Sequence, residues 1–532
     1  MKRRKVLIGL LLIASLSATM LAGCGDDSSK STPTASTTVK QDVQKEEVKV
    51  DGGTFMMPIP SDITNFNTVV AETKSAEMVL NAMFDPLFVI DRDETRYYLA
   101  ESYEVSQDGL SITVRLKDNM YWHDGVKITS EDAVFYFERT AIPTLLGTTG
   151  LDGKALICEA LDELTFKITL PRVSAAYTTR LGNIKLFPKH IYDNDEDFRT
   201  SPVNDLGIGS GPYKLVKWTK GTSIELERFD DYYRGKGNFE KVIFKVTPEE
   251  STQEIAFMNG ELSVMNVSSL VKYQKYEADE KYDTYSLSEN RVNYVSFNSN
   301  SKKMQDVNLR KAITYALNRE EIFEGAFGGA AMGELNNTVY ASCNLCYDPN
   351  FEGYEYSKED AEKLFAEAGV KQIKLLYNGA QPFLENIALI IQSQLGQFGI
   401  DVEVISRDAQ GFNSSFFYTA EGDWDIGLNV YPVSVDPNSI AFMYKLGTIL
   451  TTNVFTNDEV NDLIIAGDSE IDFSKRKDIY TELQELIRDR YMVYPIATSK
   501  YCLVTVNNLR GVDSINKVPV FEDYLKLYFV EN

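Results

Sequence analysis

The chain has two histidines, and neither stands in a catalytic pattern. His123 lies in Trp122-His123-Asp124-Gly125, where an imidazole beside a carboxylate could act as a general base. The same four residues suit an imidazole bonded within a tight turn, which is the reading adopted. His190, in Phe187-Pro188-Lys189-His190, has no acidic or Cys neighbour at ligand spacing and is read as structural. There is no His-Glu-x-x-His and no Gly-x-Ser-x-Gly, so the motifs of zinc and serine hydrolases are missing. Gly209-Ser210-Gly211-Pro212 is a turn of the kind that can cradle phosphate. Pro212 removes one amide donor, however, and no helical pattern begins there.

Five cysteines are present. Cys343-Asn344-Leu345-Cys346 is a C-x2-C in a polar loop, open to three readings: a local disulfide, two free thiols, or half of a metal site lacking its second pair. Cys158 and Cys502 stand alone in strand-like surroundings. No cofactor and no metal are expected. The formal charge of −24 argues against nucleic acid or an anionic membrane surface as partner. At 532 residues the chain exceeds one ordinary core, so two or three domains are expected.

The elements that must position any site read as α/β. Val292 to Phe297 is apolar on both faces, as a buried strand is. Leu309, Ala312, Ile313, Ala316 and Leu317 then mark one face of a helix, with Asp306 and Asn308 as capping oxygens. A strand feeding a helix midway along a long chain is a candidate domain crossing. Downstream, Ser357 and Asp360 form a capping box before a helix stopped by Gly369. A strand at 372–377, a helix at 384–398 and a strand at 400–405 give a βαβ rhythm. Upstream, Tyr103–Val105 and Ser111–Leu116 alternate around Gln107-Asp108-Gly109, which predicts a hairpin. No internal repeat is found.

Several motifs, in one order, resemble the bacterial family 5 extracellular solute-binding proteins of oligopeptide, dipeptide and nickel ABC transporters. They are Gly52-Gly53-Thr54, Phe84-Asp85-Pro86-Leu87, the Trp122–Gly125 turn, Gly209–Tyr213, and Arg310 to Ile322 (RKAITYALNREEI). The likeness spans residues 52 to about 515. It implies a two-lobe clamp of class II with an extra subdomain in lobe I and two hinge strands. Lobe I would cover 51–288, lobe II 289–494, and 495–532 would return to lobe I. Residues 1–23 read as a signal peptide: Lys2–Lys5 are basic, Val6–Met20 are apolar, and Leu21-Ala22-Gly23-Cys24 resembles a lipobox. Cys24 would then carry lipid and anchor the protein to the outer face of the cell membrane, with 24–50 as a polar tether.

Gly422 to Pro437 resembles the family segment that lines the lobe II side of the pocket. In the peptide binders an Asp shortly before the final Asp-Pro takes the peptide α-ammonium. Here Val433 or Ser434 falls at that place, depending on the anchor chosen, and Leu428 stands where a basic residue can meet a carboxylate. A buried ammonium without a counter-charge costs several kcal/mol, so the segment suits a capped or apolar peptide or an oligosaccharide. Asp436 takes the ammonium role only if the loop is rebuilt. The resemblance implies ligand contacts from Phe412, Trp424, Tyr431, Ser434 and Asp436 in lobe II, and from Glu72, Thr73, Lys74 and Phe135 in lobe I. It also implies a monomer that serves an ABC permease and its ATPase. A signalling-peptide receptor on the same fold and a secreted hydrolase are the competing functions.

Overall fold

The computed structural model describes residues 47–71, 73–140, 150–151, 153–194, 197–419, 423–447, 452–514 and 521–531. The expected signal peptide, Cys24, most of the tether and Glu72 lie outside them. The last residues of the expected tether are part of the fold. Lys49–Val50 is a strand paired antiparallel with Tyr528–Val530, and Glu47 takes the Arg510 guanidinium at 2.6 Å.

Among the described residues, the first lobe is built on a sheet in the order Tyr213–Thr219, Ser223–Arg228, Lys241–Val246, Thr54–Ile59, the last pair parallel. Alternation along these strands turns Phe55, Met57, Ile59, Ile224, Leu226, Val242 and Phe244 into one core. The extra subdomain is an antiparallel sheet in the order Ala100–Val105, Ser111–Leu116, Thr165–Thr169, Ile157–Asp162. Its inward residues Ile112, Val114, Phe166 and Ile168 join the same core.

The second lobe carries a larger sheet. Its strands run Asp401–Arg407, Gln372–Asn378, Ile426–Pro432, Tyr282–Phe297, Val493–Val506, Val264–Val267, with Gly333–Leu335 also on Val493–Val506. The parallel pair 372–378 and 401–407 is joined by the helix Pro382–Gly396, whose Leu384, Ile387, Ala388, Ile391 and Leu395 form one buried stripe. The stretch RKAITYALNREEI, read as one helix, is two. Val307–Ala316 ends at Leu317, and Asn318 then caps Arg319–Phe327 by accepting from the Glu321 amide.

Tyr282–Phe297 and Val493–Val506 are antiparallel neighbours, and both pass between the lobes. Tyr285, Leu287 and Leu503 pack in the first-lobe core, while Val295, Phe297, Tyr494, Ile496 and Ala497 pack in a second-lobe core. The ladder breaks between Ser288 and Val292, and Asn290 adopts φ 54°. Extra residues there bend the strand at the crossing. The return crossing comes later than the expected 494/495 boundary, because Ile496 and Ala497 are still second-lobe core. Arg310 ties the helix Val307–Ala316 to the turn that leads into the return strand. Its guanidinium donates to the carbonyls of Met304, Arg490 and Tyr491 at 2.7, 2.8 and 2.9 Å.

Candidate ligand-binding site

The two histidines have structural partners. The Gly209 amide donates to His123 Nδ1 at 3.0 Å, so the proton sits on Nε2, which donates to the Gly211 carbonyl at 3.0 Å. Gly211 in turn donates to the Met83 carbonyl at 2.7 Å, a backbone approach that leaves no room for a Cβ. His123 therefore clamps one turn motif to another. Asp124 turns away from it and meets His190 Nε2 at 2.7 Å. His190 thus has an acidic neighbour after all, 66 residues away in sequence. The Phe84-Asp85-Pro86-Leu87 motif is a buried carboxylate site, where Asp85 accepts from the Tyr232 and Tyr233 hydroxyls at 2.7 and 2.8 Å.

These groups give an opposed pH dependence. Burial pushes the His123 pKa from 6.5 down to about 4. A base depressed in the fold contributes stability that is whole above pH 6.5 and is lost as pH falls toward 4, on the order of 3 kcal/mol. Burial pushes Asp85 from 3.8 up to about 6 against the pull of its tyrosine hydroxyls, so acidification through that range favours the fold. Asp85→Asn removes the second effect alone. Its melting temperature should fall further than the wild type's between pH 6.5 and 4, as scanning calorimetry at the two pH values would read.

Most of the expected contact rings are packed inside their own lobe. Trp424 is 1% exposed, stacks on Phe416 at 5.1 Å and donates to the Ser415 carbonyl. Phe412 stacks on the same Phe416 at 5.0 Å. Tyr431 lies edge-on to Tyr294 and donates to the Val339 carbonyl. Phe135 is buried against Phe187. In this arrangement of the lobes these four are core side chains and present no open face. The polar positions divide. Ser434 is exposed, whereas Val433 is buried in a second-lobe core. Asp436 is committed: both its oxygens take the Arg476 guanidinium at 2.7 Å, and it caps the turn at Asn438. The structure leaves no free carboxylate at Asp436 for a ligand ammonium, because the loop is built around that pair.

On the first-lobe side, the Thr73 hydroxyl caps the helix Lys74–Met83 by accepting from the Ala76 amide. Lys74 reaches across to Glu289 at 3.6 Å on the crossing strand and lies over the Tyr501 ring. The lobes also meet directly. Asp468, at the end of the second-lobe helix Asp458–Ser469, sits against the N-terminus of the first-lobe helix Ala175–Gly182. It takes Arg172 at 2.7 Å and Ser174 Oγ at 2.8 Å, and lies 3.4 Å from the Ala176 amide. Arg92 of the first lobe donates to the Ser342 carbonyl of the second at 2.9 Å. None of these residues has a sequence signal, since Arg172 and Asp468 are 296 positions apart.

Cys158, Cys343, Cys346 and Cys502 are free thiols. Burial pushes Cys343 up to about 12 and Cys346 up to about 11, which keeps both protonated and unreactive near neutral pH. Among the described residues no group of three or more His, Cys, Asp and Glu side chains could hold a metal ion.

Residues 94–449 match the model of the bacterial extracellular solute-binding proteins, family 5 middle. The chain belongs to this family. The solute-binding protein superposes on the ABC transporter substrate-binding protein CtaP of Listeria monocytogenes with a TM-score of 0.85 and 29% identity, over 90% of this chain and 100% of the other. It superposes on a crystal structure described as a putative peptide-binding protein AppA of Clostridium difficile with a TM-score of 0.80 and 30% identity, over 85% and 96%. The oligopeptide-binding protein AppA of Bacillus subtilis is 26% identical over 436 residues, 76% of each chain. The fold is the two-lobe α/β clamp. The family is one of extracellular solute binders, which places the work of this solute-binding protein outside the cytoplasm. No helix among the described residues is long and apolar enough to cross a membrane.

Proposed function

We propose that the chain is the substrate-binding component of an ABC importer, capturing an oligopeptide or related small solute between its lobes and delivering it to a permease and its ATPase. The observation that carries this is the pair of adjacent strands, Tyr282–Phe297 and Val493–Val506, running from one lobe core into the other while the lobes touch elsewhere. Two connections bending at one place allow hinge closure, and a ligand that binds the closed form better draws the lobes together. Relatives named as oligopeptide- and dipeptide-binding proteins support the solute class. Glu72, Thr73, Lys74 and Ser434 are the proposed polar contacts, with Phe135, Phe412, Trp424 and Tyr431 setting the walls behind them.

A library of short peptides should raise the melting temperature by mass action, about 2.7 kcal/mol of stabilisation at a hundredfold excess over Kd. Shifts with oligosaccharides and none with peptides would replace the peptide by a sugar. Lipid on Cys24 would hold the protein at the outer face of the cell membrane as a monomer. Cys24→Ala should then move it from the membrane fraction to the medium or periplasm, read by fractionation and immunoblot. Equal retention of the variant would remove the anchor.

A further inference from the structure

The chain is strongly acidic, with a formal charge of −24, yet where it crosses between the lobes two cations, Lys74 and Arg291, lie close enough to repel each other. Lys74 comes from the first lobe, and Glu289 and Arg291 flank the irregular turn of the crossing strand at Asn290. Three features make this arrangement unfavourable as it stands. Lys74 is the first residue of its helix, where the macrodipole disfavours a cation. Its pKa is lowered by desolvation first and by the positive charge of Arg291 as well, with Glu289 and Glu77 only partly opposing them, even though the side chain stays 41% exposed. Arg291 Nε is buried with no hydrogen-bond partner. A buried donor left without an acceptor carries a desolvation penalty that a bound acceptor removes, larger when the donor is charged.

The place is also the right one for a ligand. Arg291 pairs in register with Pro432, and the Val433 amide donates to the Asn290 carbonyl at 2.7 Å. Arg291 therefore lies beside the Pro432–Ser434 stretch, where the polar Ser434 is exposed and no acid is free.

We infer that Lys74 and Arg291 together hold an anionic group of the ligand, a carboxylate, at the interlobe crossing. The ligand is then oriented by its acidic end, and a free ammonium is dispensable. One cation comes from each side of the crossing, so the carboxylate is fully paired only when the lobes come together. Ligand charge and closure are coupled in this way. This rests on the solute-binding reading and adds to it the ligand's charge.

The test uses a short-peptide library in three forms: free, N-acetylated and C-amidated, with an oligogalacturonate as the non-peptide carboxylate. Affinities are read by native mass spectrometry and calorimetry. Acetylation should change Kd by less than about 3-fold, and amidation should weaken it by about 10- to 100-fold. Arg291→Gln and Lys74→Gln should weaken the free acids by a larger factor than the amides. Tight oligogalacturonate binding that is lost in Arg291→Gln would make the carboxylate a sugar acid's. Amides binding as well as acids, or acetylation abolishing binding, would overturn the inference. A second measurement needs no peptide. The ligand-free wild type should melt higher in succinate than in chloride of equal ionic strength, and Arg291→Gln should lose that difference. Equal melting in the two salts would also overturn the inference. Binding of no peptide in any form, with the succinate effect intact, would instead remove the peptide reading and leave the carboxylate site standing.

Discussion

Asp436→Ala is expected to lower the stability of the protein by about 3–5 kcal/mol, because it strands a buried guanidinium. Arg476 and Asp436 are 5% and 7% exposed, and the pair is bidentate at 2.7 Å on both arms. Arg476 also donates Nε to the Gly467 carbonyl, so it cannot swing out to water without breaking a second contact. Asp436→Asn keeps the acceptor and the cap on Asn438 and should cost less. Asp436→Leu with Arg476→Met removes both charges and should recover much of the loss, since a buried ion pair is often no better than apolar packing of similar volume. Urea unfolding of the wild type, the three variants above and the two single variants Asp436→Leu and Arg476→Met gives the differences and closes the cycle for the pair. Loss of ligand affinity in Asp436→Ala at unchanged stability would instead make Asp436 a ligand contact and reverse the account of this loop.

Asp468→Ala should open the molecule. The carboxylate is nearly buried and joins Arg172, Ser174 and the N-terminus of the helix Ala175–Gly182, all on the other lobe. Hydrogen bonds to a charged group contribute about 1.5–3 kcal/mol. Losing the cluster moves the open–closed balance by about 10- to 100-fold. The fold of each lobe should survive, because Asp468 lies on the lobe boundary and not in a core. Small-angle scattering of the ligand-free protein should give a larger radius of gyration for the variant. Ligand dissociation should quicken by a similar factor, as a shift of closed population requires. Unchanged scattering and unchanged dissociation would show that the contact carries no weight in closure.

The elements of this molecule were legible where local chemistry decides them. Ser357 caps its helix through the Asp360 amide, as the capping box predicts, and Gly369 ends it in the left-handed conformation. The crossing strand was legible because burial on both faces leaves apolar Val292, Tyr294, Val295 and Phe297 on successive and alternate positions at 292–297. The split at Leu317 was harder to read, since the apolar spacing continues through it and only Asn318 marks the new start.

The site was much less legible. Phe412, Trp424 and Tyr431 have the composition of a binding wall, but aromatic composition is the same for a wall and for the core behind it; Phe412 and Trp424 pack on the nearby Phe416, and the partners of Tyr431, Tyr294 and Val339, come from elsewhere in the chain. The charges that matter are paired over long separations: Asp436 with Arg476 across 40 positions, and Asp468 with Arg172 across 296. No spacing rule reaches that far. The family motifs, for their part, mark joints more than pocket. His123 clamps the Gly209–Gly211 turn, Asp85 anchors Tyr232 and Tyr233, and Arg310 fastens the turn that leads into the return strand.

The central claim is capture of a solute without chemistry. Isothermal titration of the intact protein with the free-acid peptide library, followed by mass analysis of every peptide recovered, tests it most directly. The account predicts saturable one-to-one binding and peptides of unchanged mass. Heat without saturation, or product masses that grow with time, would contradict it.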